Sequence, residues 1–375
     1  MTSPPVEAEK TPLEERLIAL IKANGPMTVA DYMADALGHA QEGYYATRLS
    51  IGAEGDFTTA PEISQIFGEL IGLWLVQSWK DMGAPTAFNL IELGPGRGVM
   101  MADILRAAAV DPAFSAAASV VLVETSGRLR HEQQRRLRSV APPVDWADDL
   151  GAVPEGPALI VANEFFDCLP VRQFERTASG WRERLVDVAP DGGALRFAHA
   201  PAPPRPDIDL PPKEETEEGA IIEFCPDAAL AATDIAIRLN AHPGRALIID
   251  YGKVATAPGD TLQAVRGHRY WPVLASPGRA DLTAHVDFEQ LATAAIRAEA
   301  GVYGPVSQGA FLERLGLALR VQALSAGKSP QEQADIHAGA HRIAAPGQMG
   351  ELFKVMCLSS SHLPAPAGFD ASVPR

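Results

Sequence analysis

The sequence predicts an α/β protein built on a Rossmann-like, mostly parallel sheet, with an N-terminal helical region and an antiparallel β insertion. Three observations predict it. Strand-like apolar runs alternate with helical ones from Phe88 to Ala162, the mark of parallel strands joined by crossover helices. A glycine turn, Gly94-Pro95-Gly96-Arg97-Gly98, closes the first of those strands. The residues before Phe88 carry helix caps and helical apolar stripes instead of strand alternation.

Taken in order, Thr11-Pro12-Leu13-Glu14 is a capping box with proline at the first helical position. Leu13, Leu17, Leu20 and Ile21 form the apolar stripe of the helix it starts, and Asn24-Gly25-Pro26 stops it. Thr28 caps a second helix with Met33 and Leu37 inward and Gly38 at its end. Residues 43–57 read as loop, and Thr59-Ala60-Pro61-Glu62 is a further capping box, predicting one long helix through Trp79. Strands are expected at 89–93, 120–124, 144–146 and 158–162, with helices at 99–109 and 128–138 between them. Runs at 171–174, 181–188 and 195–198, joined by glycine turns, predict a small antiparallel meander. Residues 200–219, rich in proline and acid, read as an exposed connection.

The rhythm resumes with a helix at 227–240 and a strand at 245–250, followed by an irregular stretch at 251–282. Asp287 caps a helix, and then come a strand at 302–306, a helix at 311–317 and a final strand at 352–358. The domain reading is a helical lid or substrate region at 1–85 and a sheet domain at 86–362, with insertions at about 171–225 and 252–286, then a tail at 363–375.

Composition excludes several classes. At 375 residues, with 47% hydrophobic and 21% charged, the chain has material for a large core and looks like an ordinary globular protein. No stretch approaches the roughly 20 apolar residues of a membrane span, and the first ten residues resemble neither a secretory signal nor a mitochondrial presequence. The expected location is the bacterial cytoplasm. Three widely spaced cysteines, Cys168, Cys225 and Cys357, suggest neither a disulfide framework nor a zinc knuckle. A net charge of −15 argues against nucleic acid and would suit a cationic substrate.

The glycine turn carries the chemistry. Gly94 and Gly96 let the backbone bend and approach a ligand where a Cβ would collide, and Gly98 allows the following helix to pack closely. The spacing is G-x-G-x-G; a dinucleotide fold has G-x-G-x-x-G, and here Val99 stands where its third glycine would be. No Gly-Lys-Ser/Thr follows, which excludes a phosphate loop. Glu92 precedes the turn, and Glu124 closes the next strand, placed to accept both hydroxyls of a ribose. This pattern points to S-adenosyl-L-methionine as cofactor, held by Glu92, Gly94, Pro95, Gly96, Gly98 and Glu124. Asp148 is the residue expected to receive an adenine amino group, and Trp146 the one expected to cover the purine face.

In an open parallel sheet, ligands lie beyond the carboxyl ends of the strands. Val161-Ala162-Asn163-Glu164-Phe165-Phe166-Asp167 therefore faces the methyl group, with Asn163 on the cofactor. Paired carboxylates at Glu164 and Asp167 suit a planar guanidinium, which they can bind bidentately and orient. These two are the candidate catalytic residues. Asp250-Tyr251-Gly252 is a second-rank candidate for the same crevice, and Asp281 and His285 can be plain polar residues before a helix. His337 and His341 share an i, i+4 spacing but have no third ligand, so no metal site is expected.

Three segments together resemble the MidA-like family, known from the mitochondrial complex I assembly methyltransferase and its bacterial relatives. They are Gly55-Asp56-Phe57-Thr58-Thr59-Ala60-Pro61-Glu62, running on to Glu69, then Glu92-Leu93-Gly94-Pro95-Gly96-Arg97-Gly98, and Asn163-Glu164-Phe165-Phe166-Asp167. Asp250-Tyr251-Gly252, the stretch 281–288 and Gly350-Glu351-Leu352-Phe353-Lys354-Val355-Met356 look like family segments too. The resemblance implies a class I methyltransferase fold. For the mitochondrial members it implies symmetric dimethylation of an arginine in a complex I core subunit. It also makes residues 56–64 a cofactor lid or substrate contact, with Thr59 on the cofactor. The expected partner is a protein with a target arginine, and a homodimer is left open. A small-molecule methyltransferase and a non-catalytic assembly protein on the same fold stand as alternatives.

Overall fold

The structure is a computed structural model that describes residues 9–47, 58–140, 142–205, 208 and 210–370. Residues 48–57, part of the stretch read as loop and including Gly55 to Phe57 of the family-like segment, lie outside the described residues.

The core is an eight-stranded sheet. Five parallel strands supply its centre: β2 (Phe88–Leu93), β3 (Ala118–Val123), β4 (Val144–Ala147), β5 (Ala158–Asn163) and β10 (Gly244–Lys253). Two antiparallel strands, β15 (Gly301–Ser307) and β16 (Phe353–Ser359), extend it beyond β10, and the short β14 (Val286–Asp287) pairs with the end of β10. The order is β15-β16-β10-β5-β2-β3-β4. From β2 the chain moves outward to β3 and β4, then returns to β5 on the other side of β2. That reversal opens a crevice at the carboxyl ends of β2 and β5. Both strands are buried along their whole length, which is why they read as unbroken apolar runs.

Helices cover both faces. On one lie α5 (Gln65–Asp81), α6 (Val99–Ala108) and α7 (Pro112–Ala117), around Trp74, Phe88 and Phe114. On the other lie α9 (Pro226–Ala241) and α10 (Phe288–Arg297), packed on Ile91, Ile160 and Ile248. Helix α8 (Gly127–Leu137) follows β3. The N-terminal helices α1 (Pro12–Asn24) and α2 (Val29–Gly38) share a third core with a five-stranded antiparallel sheet. That sheet contains the meander β6 (Arg172–Thr177), β7 (Gly180–Val188) and β8 (Leu195–His199), joined by β1 (Met27–Thr28) and β9 (Ile221–Phe224).

Three expectations need correction. The long helix from Thr59 breaks at Ser64 into α4 (Ala60–Ile63) and α5. Thr59 makes no side-chain cap, whereas the Ser64 hydroxyl accepts from the Ile66 amide and restarts the helix. The stretch 251–282 is not irregular throughout. It holds β11 (Gln263–Arg266), β12 (Arg269–Trp271) and β13 (Asp281–Thr283), a three-stranded antiparallel sheet. Gly267 and His268 both have positive φ at its hairpin, the two-residue turn that matches strand twist. Finally, the helix expected at 311–317 is two, α11 (Gln308–Arg314) and α12 (Leu317–Ser325), parted by Gly316 at φ +92°. A further helix, α13 (Pro330–Ala344), is started by a Ser329/Glu332 capping box. The short α3 (Tyr44–Thr47) completes the helices named here.

The C-terminal residues lie against the core. Arg245 on β10 is fully buried and donates to Asp81 Oδ2 at 2.6 Å, Ser78 Oγ and the Pro364 carbonyl, while Trp74 Nε1 donates to the Ala367 carbonyl. A buried charge stripped of its partner is costly. Asp81→Ala is therefore expected to lower unfolding free energy by about 3–5 kcal/mol in a denaturant titration. A loss below roughly 1 kcal/mol would mean that the pair does not anchor the C-terminal segment.

Candidate active site

The glycine turn sits where strand order reverses. Leu93 is in register with Val123 on one side and Ala162 on the other. Gly94, Gly96 and Gly98 have φ of +60°, +51° and +74°, conformations that side chains rarely adopt. A Cβ on Gly94 would lie 2.9 Å from the Phe165 ring, so the first glycine admits the β5 loop; one on Gly98 would make only ordinary contact with Gln133, and there it is the backbone conformation that calls for glycine.

A cavity of about 470 Å³ occupies this crevice. Its floor is the turn itself, Gly94 to Arg97, with Glu92 beneath and Glu124 beside it. Asp148, Asp149 and Leu150 line the β4 end; Asn163, Glu164, Phe165 and Cys168 line the β5 end. Tyr45, Thr59, Pro61 and Glu62 form one further wall, and Asp227, Leu230 and Asp234 of α9 another. Eight carboxylates surround the cavity (Glu62, Glu92, Glu124, Asp148, Asp149, Glu164, Asp227 and Asp234), and Arg97 is the one cation among the described lining residues. Arg97 reaches Glu62 at 3.6 Å, tying the glycine turn to α4.

The carboxylates differ in environment. Glu92 is 2% exposed, its Oε2 has no hydrogen-bond partner among the described residues, and burial pushes its pKa up to about 8. Glu124 is buried too, which raises its pKa, although its oxygens accept from the Ser126 amide at 2.7 Å and Gln133 Nε2 at 3.2 Å. Four lone-pair sites on a carboxylate leave it room for two more donors. Asp148 is different: its side chain is mostly exposed and pairs with Arg130 Nη2 at 2.6 Å, at the cavity's edge.

Trp146 does not line the cavity. Its indole donates to Gln133 Oε1 at 2.8 Å, and Gln133 Nε2 donates to the Gly96 carbonyl at 2.7 Å. The tryptophan thus stands behind the wall and fixes Gln133, which braces both the glycine turn and Glu124. Gln133 has no sequence motif; its role arises only where α8 crosses the turn. The acids of α9 were also missed, since nothing in the sequence brings that helix to β2. Their i, i+7 spacing on one helical face is the single available signal.

At the end of β5, Glu164 takes φ +51°, unusual for a residue with a side chain. Its amide donates to the Ile249 carbonyl, and its Oε1 accepts from Asn163 Nδ2 at 3.1 Å and the Ala60 amide at 3.4 Å. Burial, reinforced by the Asp167 charge, pushes its pKa up to about 8. Asn163 Oδ1 is buried with no partner among the described residues. Asp167 turns away from the cavity. Its carboxylate accepts from the Tyr251 phenol, and burial raises its pKa to about 6. Of the two carboxylates expected to share a guanidinium, Glu164 lines the cavity and Asp167 does not.

The loop is pinned from below by Asp250, fully buried at the end of β10. Its Oδ2 accepts from the Phe166 and Asp167 amides at 3.0 and 3.2 Å, and its Oδ1 from the Tyr251 amide at 2.9 Å. Burial and the nearby Asp167 and Glu164 charges raise its pKa. Asp281, His285, His337 and His341 do not line the cavity. Among the described residues no three metal-ligating side chains cluster.

Turn, volume and donor set fit one kind of ligand. Two buried acceptors, Glu92 Oε2 and Asn163 Oδ1, await donors, Glu124 has spare lone pairs, and the surrounding charge is negative. A cation carrying hydroxyl and amino donors answers each of these.

Comparison with known proteins agrees. A family of S-adenosyl-L-methionine-dependent methyltransferases matches residues 70–306. The mitochondrial protein arginine methyltransferase NDUFAF7 of Mus musculus is 40% identical over 94% of this chain and 86% of its own length. Its Homo sapiens counterpart is 37% identical over 94% and 85%. A crystal structure from Burkholderia thailandensis, bound to S-adenosyl-homocysteine, superposes with a TM-score of 0.81 at 25% identity, covering 98% of this chain and 99% of that one.

Two outcomes follow for the cofactor. Gly94→Val forces a β-branched residue into left-handed backbone against Phe165. Strain of about 1–3 kcal/mol in the turn should weaken S-adenosylhomocysteine binding by roughly ten- to a hundredfold in calorimetry; unchanged affinity would remove the turn from the site. Glu92 has a folded-state value near 8 against an unburied 4.5, so its ionisation destabilises the empty fold progressively as pH rises between those values. Glu92→Gln should therefore raise the melting temperature of the cofactor-free protein by a few degrees at pH 8, and leave it unchanged at pH 4, while weakening the cofactor. A lower melting temperature at pH 8 would show that the carboxylate has a partner in the empty fold.

Proposed function

The chain belongs to the S-adenosyl-L-methionine-dependent methyltransferase family, and we propose that it methylates an arginine side chain of a protein, of the respiratory complex I subunit type. The observation that carries the reading is Glu164: a carboxylate lining the cavity across from the glycine turn, gripped by Asn163 and the start of α4. The relatives named as protein arginine methyltransferases support the same acceptor.

The cofactor, when bound, supplies an electrophilic methyl group. Gly94, Gly96, Glu92, Glu124 and Asn163 are the residues that would hold it, with Asp148 at the rim and Thr59 and Pro61 in the covering wall. Everything else falls to positioning and electrostatics. A free guanidinium has a pKa above 12 and is a poor nucleophile. Ionised Glu164 binds it by charge-assisted hydrogen bonds and aims one nitrogen at the methyl group. Methyl transfer would exchange the cofactor's S–C bond for an N–C bond and release one proton from the guanidinium, and Glu164 is the carboxylate placed to take that proton. Tyr45, Phe165 and Pro61 help keep the site dry, which strengthens each of these interactions.

No helix among the described residues is long and apolar enough to cross a membrane. We place the enzyme in the bacterial cytoplasm and leave self-association open. The small-molecule and non-catalytic alternatives have no observation of their own in the cavity.

Labelled cofactor, candidate respiratory subunits and mass-spectrometric mapping of methylarginine test the acceptor; label on other residue types alone would refute it. Glu164 must be ionised to bind a cation, and in the free enzyme it is neutral below about pH 8. At saturating cofactor, kcat/KM for the arginine substrate should thus rise with pH to a plateau, with the midpoint below about 8 because the cationic cofactor favours ionised Glu164. Glu164→Gln should lower kcat/KM by roughly 10²–10³ and abolish that rise. A variant that keeps the wild-type profile would assign the titration to another group.

A further inference from the structure

Helix α8 runs against the charge of the rest of the molecule. In a chain of net charge −15, Arg128, Arg130, Arg135, Arg136 and Arg138 fall within eleven residues at and just beyond this helix, with Glu132 as their one acid. All but Arg130 are exposed. Arg130 faces inward, onto the Glu124 and Ala147 carbonyls and Asp148. Arg128 donates to the Thr47 carbonyl, Arg136 to the Arg97 carbonyl, and neither has a carboxylate partner among the described residues; nor does Arg138. Arg135 has only the adjacent Glu132, at 2.5 Å on the same helix. The apolar residues of α8, Leu129 and Leu137, are buried, so the outer face offers charge and nothing to insert into lipid.

This face joins the cavity. Leu129 lines it, and Ser126 at the helix cap reaches the Tyr45 carbonyl, with Tyr45 itself in the cavity wall. The Thr47 carbonyl held by Arg128 lies two residues further on. A continuous path therefore runs from the acceptor end of the cavity, past Tyr45 and Thr47, onto α8.

We propose that α8 is a docking surface for an acidic segment of the protein substrate, flanking the arginine that enters the cavity. This rests on the arginine reading above and adds to it a rule of substrate choice. Guanidinium forks recognise carboxylates in paired hydrogen bonds, which a row of exposed arginines with Glu132 as its one acid can offer. The cavity is acidic and the helix basic, so the matching polypeptide is bipolar: a cation followed by acids. Eleven helical residues span about 16 Å, or roughly five residues of extended chain. The acids therefore lie within about five to ten residues of the target arginine. An acidic peptide is favoured over nucleic acid because the cavity's carboxylates would repel a phosphate backbone, and over a membrane because the face carries no apolar side chain.

The test compares two fluorescent peptides with one central arginine, one flanked by glutamates and the other by glutamines, each titrated with the full chain saturated in S-adenosylhomocysteine. Anisotropy should show the acidic peptide bound roughly tenfold more tightly at low salt, as expected for a few exposed ion pairs, with the difference shrinking as salt rises. Arg128→Gln, Arg135→Gln and Arg138→Gln together should erase the preference while leaving S-adenosylhomocysteine affinity unchanged. Glutamine keeps the helix propensity of arginine, so the fold is retained. Equal binding of the two peptides, binding of neither, or a preference that survives the triple variant overturns the proposal. Capture by phosphatidylglycerol vesicles with no peptide preference also overturns it and assigns the helix to a membrane. An acidic peptide that binds as expected but is never methylated on arginine leaves the docking surface standing and counts against the acceptor instead.

Discussion

The functional end of this molecule hangs on the Asp250 carboxylate. It has no exposure, yet it accepts three backbone hydrogen bonds, two of them from the loop that follows β5. Those bonds hold the loop close enough to the glycine turn for Phe165 to press on Gly94. In the same loop Glu164 takes left-handed backbone, its amide held by the Ile249 carbonyl and its carboxylate lining the cavity. A charge buried at the end of a central strand is costly unless such donors surround it. Here the cost secures a backbone shape that no local preference would choose.

The same logic extends outward. Gln133, braced by Trp146, fixes the Gly96 carbonyl and one oxygen of Glu124, so the far side of the cavity is as rigid as the near side. Between these two fixed walls, Glu92 Oε2 and Asn163 Oδ1 are left without partners. Unsatisfied buried acceptors weaken the empty protein, and a cationic ligand with donors relieves them. Stability and binding are thus set against each other at the same atoms.

Much of this was legible in the sequence because the strand, turn and helix from Phe88 to Ala108 are local: burial, glycine spacing and the next strand all lie in one short stretch. The central strands were legible for the same reason. The three strands of the 263–283 sheet were not, since runs of three or four residues are too short to show alternation. Thr59 to Ser64 looked like a continuous helix because a proline and an acid are good first-turn residues; that Ser64 would cap a second helix depends on competition between two similar caps. Gln133 and the α9 acids depend on contacts across the fold. Asp167 and Glu164 are acids on one loop and so read as a pair, whereas Asp167 is held by the Tyr251 phenol and is not among the cavity's lining residues.

Charge distribution gives these pieces a direction. The walls of the cavity bring together acids from six separate parts of the chain: on α4, on β2, after β3, after β4, after β5 and on α9. Helix α8 reverses the sign within one helix length of the same opening. Electrostatic fields of opposite sign side by side orient a partner rather than merely attract it, because only one register satisfies both. A uniformly acidic surface would draw in any basic chain and distinguish poorly among arginines. With α8 beside it, an arginine in a basic neighbourhood is drawn to the cavity but repelled from the helix, while one followed by acids gains at both. On the proposed reading, selectivity among arginines belongs to the surface outside the cavity, and the chemistry to the carboxylates within it.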